Sequence, residues 1–109
     1  MEKYNYLTQT LVDAHEADEN YTSSAISLSQ FSAVSVQHIW TGNDSGTVTM
    51  IIQGSNDGTN YANIDSYNLS GASGSTMILL SNPAFVNLRI SVTQSSGVAT
   101  VTSIVNAKV

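Results

Sequence analysis

The sequence predicts an all-β protein, an antiparallel β-sandwich of seven or eight strands in two packed sheets. Three observations point there. Apolar side chains recur with a period of two over several stretches. Turn residues interrupt those stretches roughly every 10–15 residues, the spacing of a sandwich or barrel. No stretch has a convincing helical period.

Residues 1–22 stand apart from the rest. Glu2, Asp13, Glu16, Asp18 and Glu19, five of the eight acids, lie here together with Tyr4, Tyr6 and Tyr21. The segment reads as an N-terminal acidic arm or an edge strand. Thr8 to Val12 is a candidate strand, and Ala14 to Asn20 a helical turn or acidic loop. Residues 23–109 read as the sandwich domain. Ile26 and Leu28 share one face of a short strand. Val34, Val36, His38 and Trp40 alternate with Ser35, Gln37 and Ile39, and Val48, Met50 and Ile52 with Thr47, Thr49 and Ile51. Val86, Leu88, Ile90 and Val92 alternate with Asn87, Arg89, Ser91 and Thr93, and the Val/Thr-rich run from Val98 to Val109 closes the chain. Such alternation buries one face of each strand and leaves the other for solvent or a partner.

The punctuation agrees. Gly42–Gly46 and Gly54–Gly58 separate strands, and Asp57-Gly58 supplies the positive φ that tight turns need. Gly71–Ser75 is a loop, Ser81-Asn82-Pro83 ends a strand because proline cannot donate to a ladder, and Ser95-Ser96-Gly97 turns into the last strand. The predicted core is Trp40, Met50, Ile52, Ile64, Leu79, Leu88, Ile90 and Val101. At this size a single core gives little margin, and self-association is a common remedy.

Only 10% of the residues are charged, and Ser, Thr and Asn fill the polar positions. With 41% hydrophobic residues this is a folded β-protein rather than a disordered chain, and it suits a surface partly covered by other protein. The net charge is -5, with Lys3, Arg89 and Lys108 the only cations. Three scattered cations make no footprint for phosphates or anionic lipid, so neither nucleic acid nor a membrane is an expected partner. Cysteine is absent, which excludes disulfides and thiolate metal sites. Met1–Tyr6 has no apolar core of a signal peptide, and no run of about 18 apolar residues occurs, so a cytoplasmic, soluble product is expected.

Candidate chemistry is sparse. Nucleophilic catalysis needs a nucleophile, a base and an orienting group. The histidines are His15, in the acidic segment, and His38, expected as a half-buried strand residue or interface contact. His15-Glu16-Ala17-Asp18-Glu19 lacks the second histidine of a zincin helix. Asp13, Glu16, Asp18 and Glu19 could offer oxygens to calcium, but their spacing is not that of an EF-hand loop, and a solvated acidic segment is the simpler reading. Asn56-Asp57-Gly58 fits turn chemistry better than a calcium loop. No catalytic residue, metal ligand or cofactor is therefore assigned. Trp40, Tyr61 and Tyr67 could stack on sugar rings, which makes a non-catalytic carbohydrate-binding module the alternative reading. Tyr4, Tyr6, Leu11 and Tyr21 are the candidate interface residues, since amphipathic rings suit interfaces.

Two blocks carry a resemblance, covering about 60 residues in all: Gly46–Tyr61, with its Ser-Asn-Asp-Gly-Thr-Asn-Tyr turn, and Phe85–Thr93, with Leu88-Arg89-Ile90, followed by a glycine turn and a Val/Thr strand. Together they resemble small bacteriophage virion structural proteins, the capsid decoration, head-fibre and tail-associated β-sandwiches. The turn is also similar to that of discoidin-type jelly rolls, which makes the expected sandwich jelly-roll-like. No ligand-binding residue carries over, because discoidin ligands are held by loops set up by an N-terminal portion this chain lacks. The resemblance implies a capsid decoration or cement protein, or a minor capsid or fibre component, acting through protein–protein assembly. It implies repeated copies, with a homotrimer the first expectation, set against other virion proteins such as the major capsid protein. It also implies location in the virion after assembly in a host cytoplasm.

Overall fold

The computed structural model describes residues 6–17, 19–28, 31–44, 47–81 and 83–108. These residues hold nine strands: β1 (Tyr6–Glu16), β2 (Tyr21–Thr22), β3 (Ile26–Ser27), β4 (Ala33–Thr41), β5 (Thr47–Ser55), β6 (Ala62–Asn68), β7 (Gly74–Ser81), β8 (Asn87–Ser96) and β9 (Thr100–Lys108). One sheet has the order β1-β9-β4-β7 and the other β2-β8-β5-β6, with β3 also on β8, and every pairing is antiparallel. Apart from β2–β3 and the β5–β6 hairpin, each connection passes from one sheet to the other. That is the connectivity of a jelly roll.

Nine strands rather than eight arise because β2 and β3 are two pieces of one edge strand. Both lie along β8, Tyr21 opposite Val92 and Ile26 opposite Leu88. At the break, the buried Ser23 holds the ladder: its N–H donates to the Ile90 carbonyl (2.8 Å) and its Oγ accepts the Ile90 N–H (2.9 Å). A backbone pair lost from a strand would otherwise leave a buried N–H unsatisfied.

The strands face inward as their alternation requires. Val34, Val36, His38 and Trp40 in β4, Val48, Met50 and Ile52 in β5, Leu88, Ile90 and Val92 in β8, and Val101 and Val105 in β9 are buried between the sheets. Ile52 lies opposite Ile90 and Met50 opposite Val92 on the same inner face. Each large apolar side chain so buried is worth about 1.5–3 kcal/mol.

Two expected core residues face outward instead. Leu79 is 75% exposed and Ile64 42% exposed. In β7 the residues Met77-Ile78-Leu79-Leu80 are all apolar, so the sequence leaves the face open. Pairing resolves it: Ile78 lies opposite the buried Val36 and Leu80 opposite the buried Val34, while Leu79 lies opposite Ser35. With a period of two, Leu79 is directed to solvent. Ile64 is the extra residue of a β-bulge, since Asp65 pairs with Ile52 and Asn63 with the next residue, Gln53. The bulge takes Ile64 off the inner row.

The N-terminal segment is also more regular than its composition suggests. Ala14–Glu16 continue β1 rather than forming a helical turn, and Ala17 follows with its N–H on the Ala99 carbonyl (2.7 Å). Two irregularities in the pairing with β9, between Thr10 and Val12 and between Val12 and His15, absorb the mismatch. The first inserts Leu11, so that Leu11 and Val12 both enter the core. The second leaves Ala14 at φ 48°, its N–H donated to the Thr102 hydroxyl (3.0 Å).

Candidate functional site: the edges and faces of the sandwich

The chemistry-bearing side chains are mostly used inside the chain. His38 and Ser103 project from adjacent strands into the core, with the Nδ1 of His38 2.7 Å from the Oγ of Ser103. Both are fully buried, and His38 Nε2 has no partner among the described residues. Burial disfavours the imidazolium and holds His38 down to about 4. The imidazole is thus neutral near pH 7, and a serine with no solvent access meets no substrate. His38 is a core residue, not the half-buried or interface contact its strand suggested.

The Ser55–Asn60 turn is an internally closed hydrogen-bond unit. Ser55 Oγ accepts the N–H groups of Asp57 (3.2 Å) and Gly58 (2.9 Å) and donates to Asp57 Oδ1 (2.9 Å). Asp57 Oδ1 also accepts the N–H groups of Thr59 (2.9 Å) and Asn60 (2.8 Å), and Oδ2 accepts the Asn60 amide (2.8 Å). The backbone donors of Asn60 and Thr59, then the side chains of Asn60 and Ser55, hold the Asp57 carboxyl well below the usual carboxylate range. Gly58 takes φ 77°, the left-handed conformation the turn requires. Asn56 Oδ1 accepts the Val86 N–H (3.2 Å) and ties the turn to the start of β8. Both carboxylate oxygens of Asp57 thus serve the turn. Among the described residues no three His, Asp or Glu side chains come together as a metal site; Asp18 lies outside them.

The aromatic candidates for sugar stacking are engaged too. Trp40 is buried, packs on Gly74, and meets the Tyr67 ring at 5.5 Å. Tyr61 is half-buried, with the Arg89 guanidinium 3.7 Å from its ring centroid. Arg89 Nε donates to Gln53 Oε1 (2.8 Å), and Gln53 Nε2 donates to Asn63 Oδ1 (2.9 Å). This chain of contacts crosses the outer face of the second sheet and covers one face of Tyr61.

Of the candidate interface residues, Tyr4 lies outside the described residues, and Tyr6 opens β1 opposite Lys108. Leu11 is 7% exposed, so its side chain belongs to the chain's own core and leaves little surface for a partner. Tyr21 is half-buried and stacks on His15, centroids 4.2 Å apart.

What remains open is β7. It forms one edge of the first sheet, and among the described residues β4 is its one strand partner. Met77 (53% exposed) and Leu79 stand on its outer side. Beside them lies a shallow depression of about 330 Å³ lined by residues of β4, β7 and β9, in which Lys108 is the single ionisable side chain. The sequence puts Leu79 in the core and assigns Met77 no role, because four consecutive apolar residues leave the outward face undetermined. The signal that finds β7 is charge: no Asp, Glu, Lys, Arg or His occurs between Asp65 and Arg89. No helix among the described residues is long and apolar enough to cross a membrane.

No family model matches the chain, and neither does any curated protein. Solved structures share the fold. The prophage-derived protein YomS of SPBc2 is similar over 97% of this chain and 96% of its own, at TM-score 0.60 and 11% identity. The T13 particle of infectious bursal disease virus is similar over 97% of this chain at TM-score 0.65 and 13% identity, and here the chain spans only 31% of the viral protein's length. A pilus protein of Bacillus endospore appendages matches over 98% of this chain and 90% of its own, at TM-score 0.51 and 7% identity. At these identities the likeness establishes a shared β-sandwich architecture, found in a prophage protein, a virus shell and a surface fibre.

Proposed function

We propose that this chain is a structural component of a virus particle, a bacteriophage capsid decoration or cement protein or a minor capsid or fibre component, working through protein–protein contact. The observation that carries the reading is the jelly-roll sandwich itself, whose full-length likeness to a prophage protein and partial likeness to a virus shell protein are likenesses of architecture. Two features of the chain support it. The hydrogen-bonded histidine–serine pair, His38 and Ser103, is sealed in the core. The exposed sheet surface is rich in Ser, Thr, Asn and Gln, and the two most exposed large apolar side chains, Met77 and Leu79, stand together on β7, as suits a protein covered by neighbours.

On this reading the chain acts in repeated copies of itself against other virion proteins, such as a major capsid protein, and is found in the virion after assembly in a host cytoplasm. The test is to purify particles released from the source strain on a density gradient and identify their proteins by mass spectrometry. The chain is expected in the particle band at a fixed ratio to the shell protein. Particles that carry shell and tail proteins but never this chain would overturn the proposal.

A further inference from the structure

From the strand pattern we infer that β7 is a homotypic docking edge: two copies of this chain pair their β7 strands antiparallel about a two-fold axis, joining two four-stranded sheets into one of eight. The inference rests on the fold and stands apart from the virion reading.

A sheet edge is a row of unpaired N–H and C=O groups, and folded proteins blunt such edges with bulges, charges, proline or interruption. The edges of this sandwich can be compared directly. β1 carries two irregularities and the exposed acids Asp13 and Glu16. β6 carries the Ile64 bulge and Asp65. The edge alongside β8 is broken into β2 and β3. β7 has none of these: it pairs with β4 from Gly74 to Ser81 without a register shift, and it contains no charge and no proline.

Charge selects the occupant. A chain of net charge -5 is repelled by its own copy wherever acids face each other. Two-fold antiparallel pairing sets each residue against a residue of the same strand, so a self-pairing edge must be free of like charges. β7 meets that condition along its whole length. An acidic edge such as β1 does not.

The inner and outer faces restrict the register, and the exposed apolar pair selects within it. Paired residues of neighbouring strands point to the same side, so outer Met77 and Leu79 must meet outer residues of the partner. A two-fold axis at Ile78 does this: Met77 of each copy lies opposite Leu79 of the other, and the two exposed apolar side chains cover one another twice. The contact closes at two copies, unlike the three expected from the sequence.

The test uses three proteins: wild type, Met77→Lys with Leu79→Lys, and Met77→Lys with Leu79→Glu. Both positions are exposed, so folding is preserved, and circular dichroism checks this. The pairing sets lysine against lysine twice in the first variant, and lysine against glutamate twice in the second. Light scattering on a sizing column should give two copies for wild type. The double-lysine variant should dissociate at least about tenfold more readily, and the lysine–glutamate variant should recover two copies. A wild-type monomer or trimer, a double-lysine dimer, or a failure of the lysine–glutamate variant to recover would each overturn the inference. Presence or absence in purified particles bears on the virion proposal alone.

Discussion

The first sheet has two edges of opposite character. β1 is drawn from the most acidic part of the chain, is bent by two irregularities, and sends Leu11 and Val12 inward together. β7 is regular, uncharged, and leaves Met77 and Leu79 outside. The sequence reads the acidic segment as an arm or an edge strand and Leu79 as core. Leu79 instead faces out, because burial is set by which side of the ladder a residue occupies rather than by how apolar its neighbours are in sequence.

The sharpest way to break the comparison is to truncate one leucine on each edge. Leu11→Ala removes a buried side chain that its neighbours cannot replace, and should cost about 2–5 kcal/mol in denaturant unfolding. A cost near zero would mean that β1 adds little to the core.

The second test lies between the edges, at His38, which is opposite Ser103 of β9 and Thr76 of β7. The folded state holds this imidazole down to about 4, below its ordinary 6.5. The unfolded chain therefore takes up a proton first as pH falls. The stabilisation is full above about 6.5, declines between there and about 4, and amounts to about 3 kcal/mol. His38→Gln keeps a polar group near Ser103 but cannot titrate. The unfolding free energy of wild type minus that of His38→Gln should fall by about 3 kcal/mol from pH 7 to pH 4, and a constant difference would refute the assignment.

A smaller effect is expected at the start of β7. A Cβ added to Gly74 would lie 2.7 Å from the Trp40 ring. Gly74→Ala should cost about 1–3 kcal/mol and shift the tryptophan fluorescence, as the ring moves to make room. An unchanged spectrum with unchanged stability would show that the ring and strand are not in close contact.

The smallest effect belongs to the other leucine. Leu79→Ala removes a side chain that solvent already surrounds, and in dilute protein should change folding stability by no more than about 0.5 kcal/mol. A loss like that at Leu11 would place Leu79 back in the core.

Much of the fold was legible in advance. Of the predicted core, Trp40, Met50, Ile52, Leu88, Ile90 and Val101 are buried, while Val86, on the same alternating row as Leu88, is 38% exposed. The Asp57-Gly58 turn was legible as well, because its chemistry is local: the hydroxyl, carboxylate and N–H groups involved lie within six residues. The misread residues are set by strand pairing. Leu79 and Ala14–Glu16 depend on partners far along the chain, Ser35 and Thr100–Thr102, and Ile64 on a bulge in the β5–β6 hairpin that its own alternation does not announce.

The chain's order of amino acids therefore determined by itself where strands and turns occur, since period-two patterning and glycine turns act over a few residues. It also determined that β7 carries no charge. The tertiary structure alone decided which strands end up at an edge, where bulges shift the facing, and that the uncharged strand is among those placed at an edge. Those outcomes follow from hydrogen-bond partners brought together across dozens of residues, and pairing at that range is settled only when both sheets close on a common core.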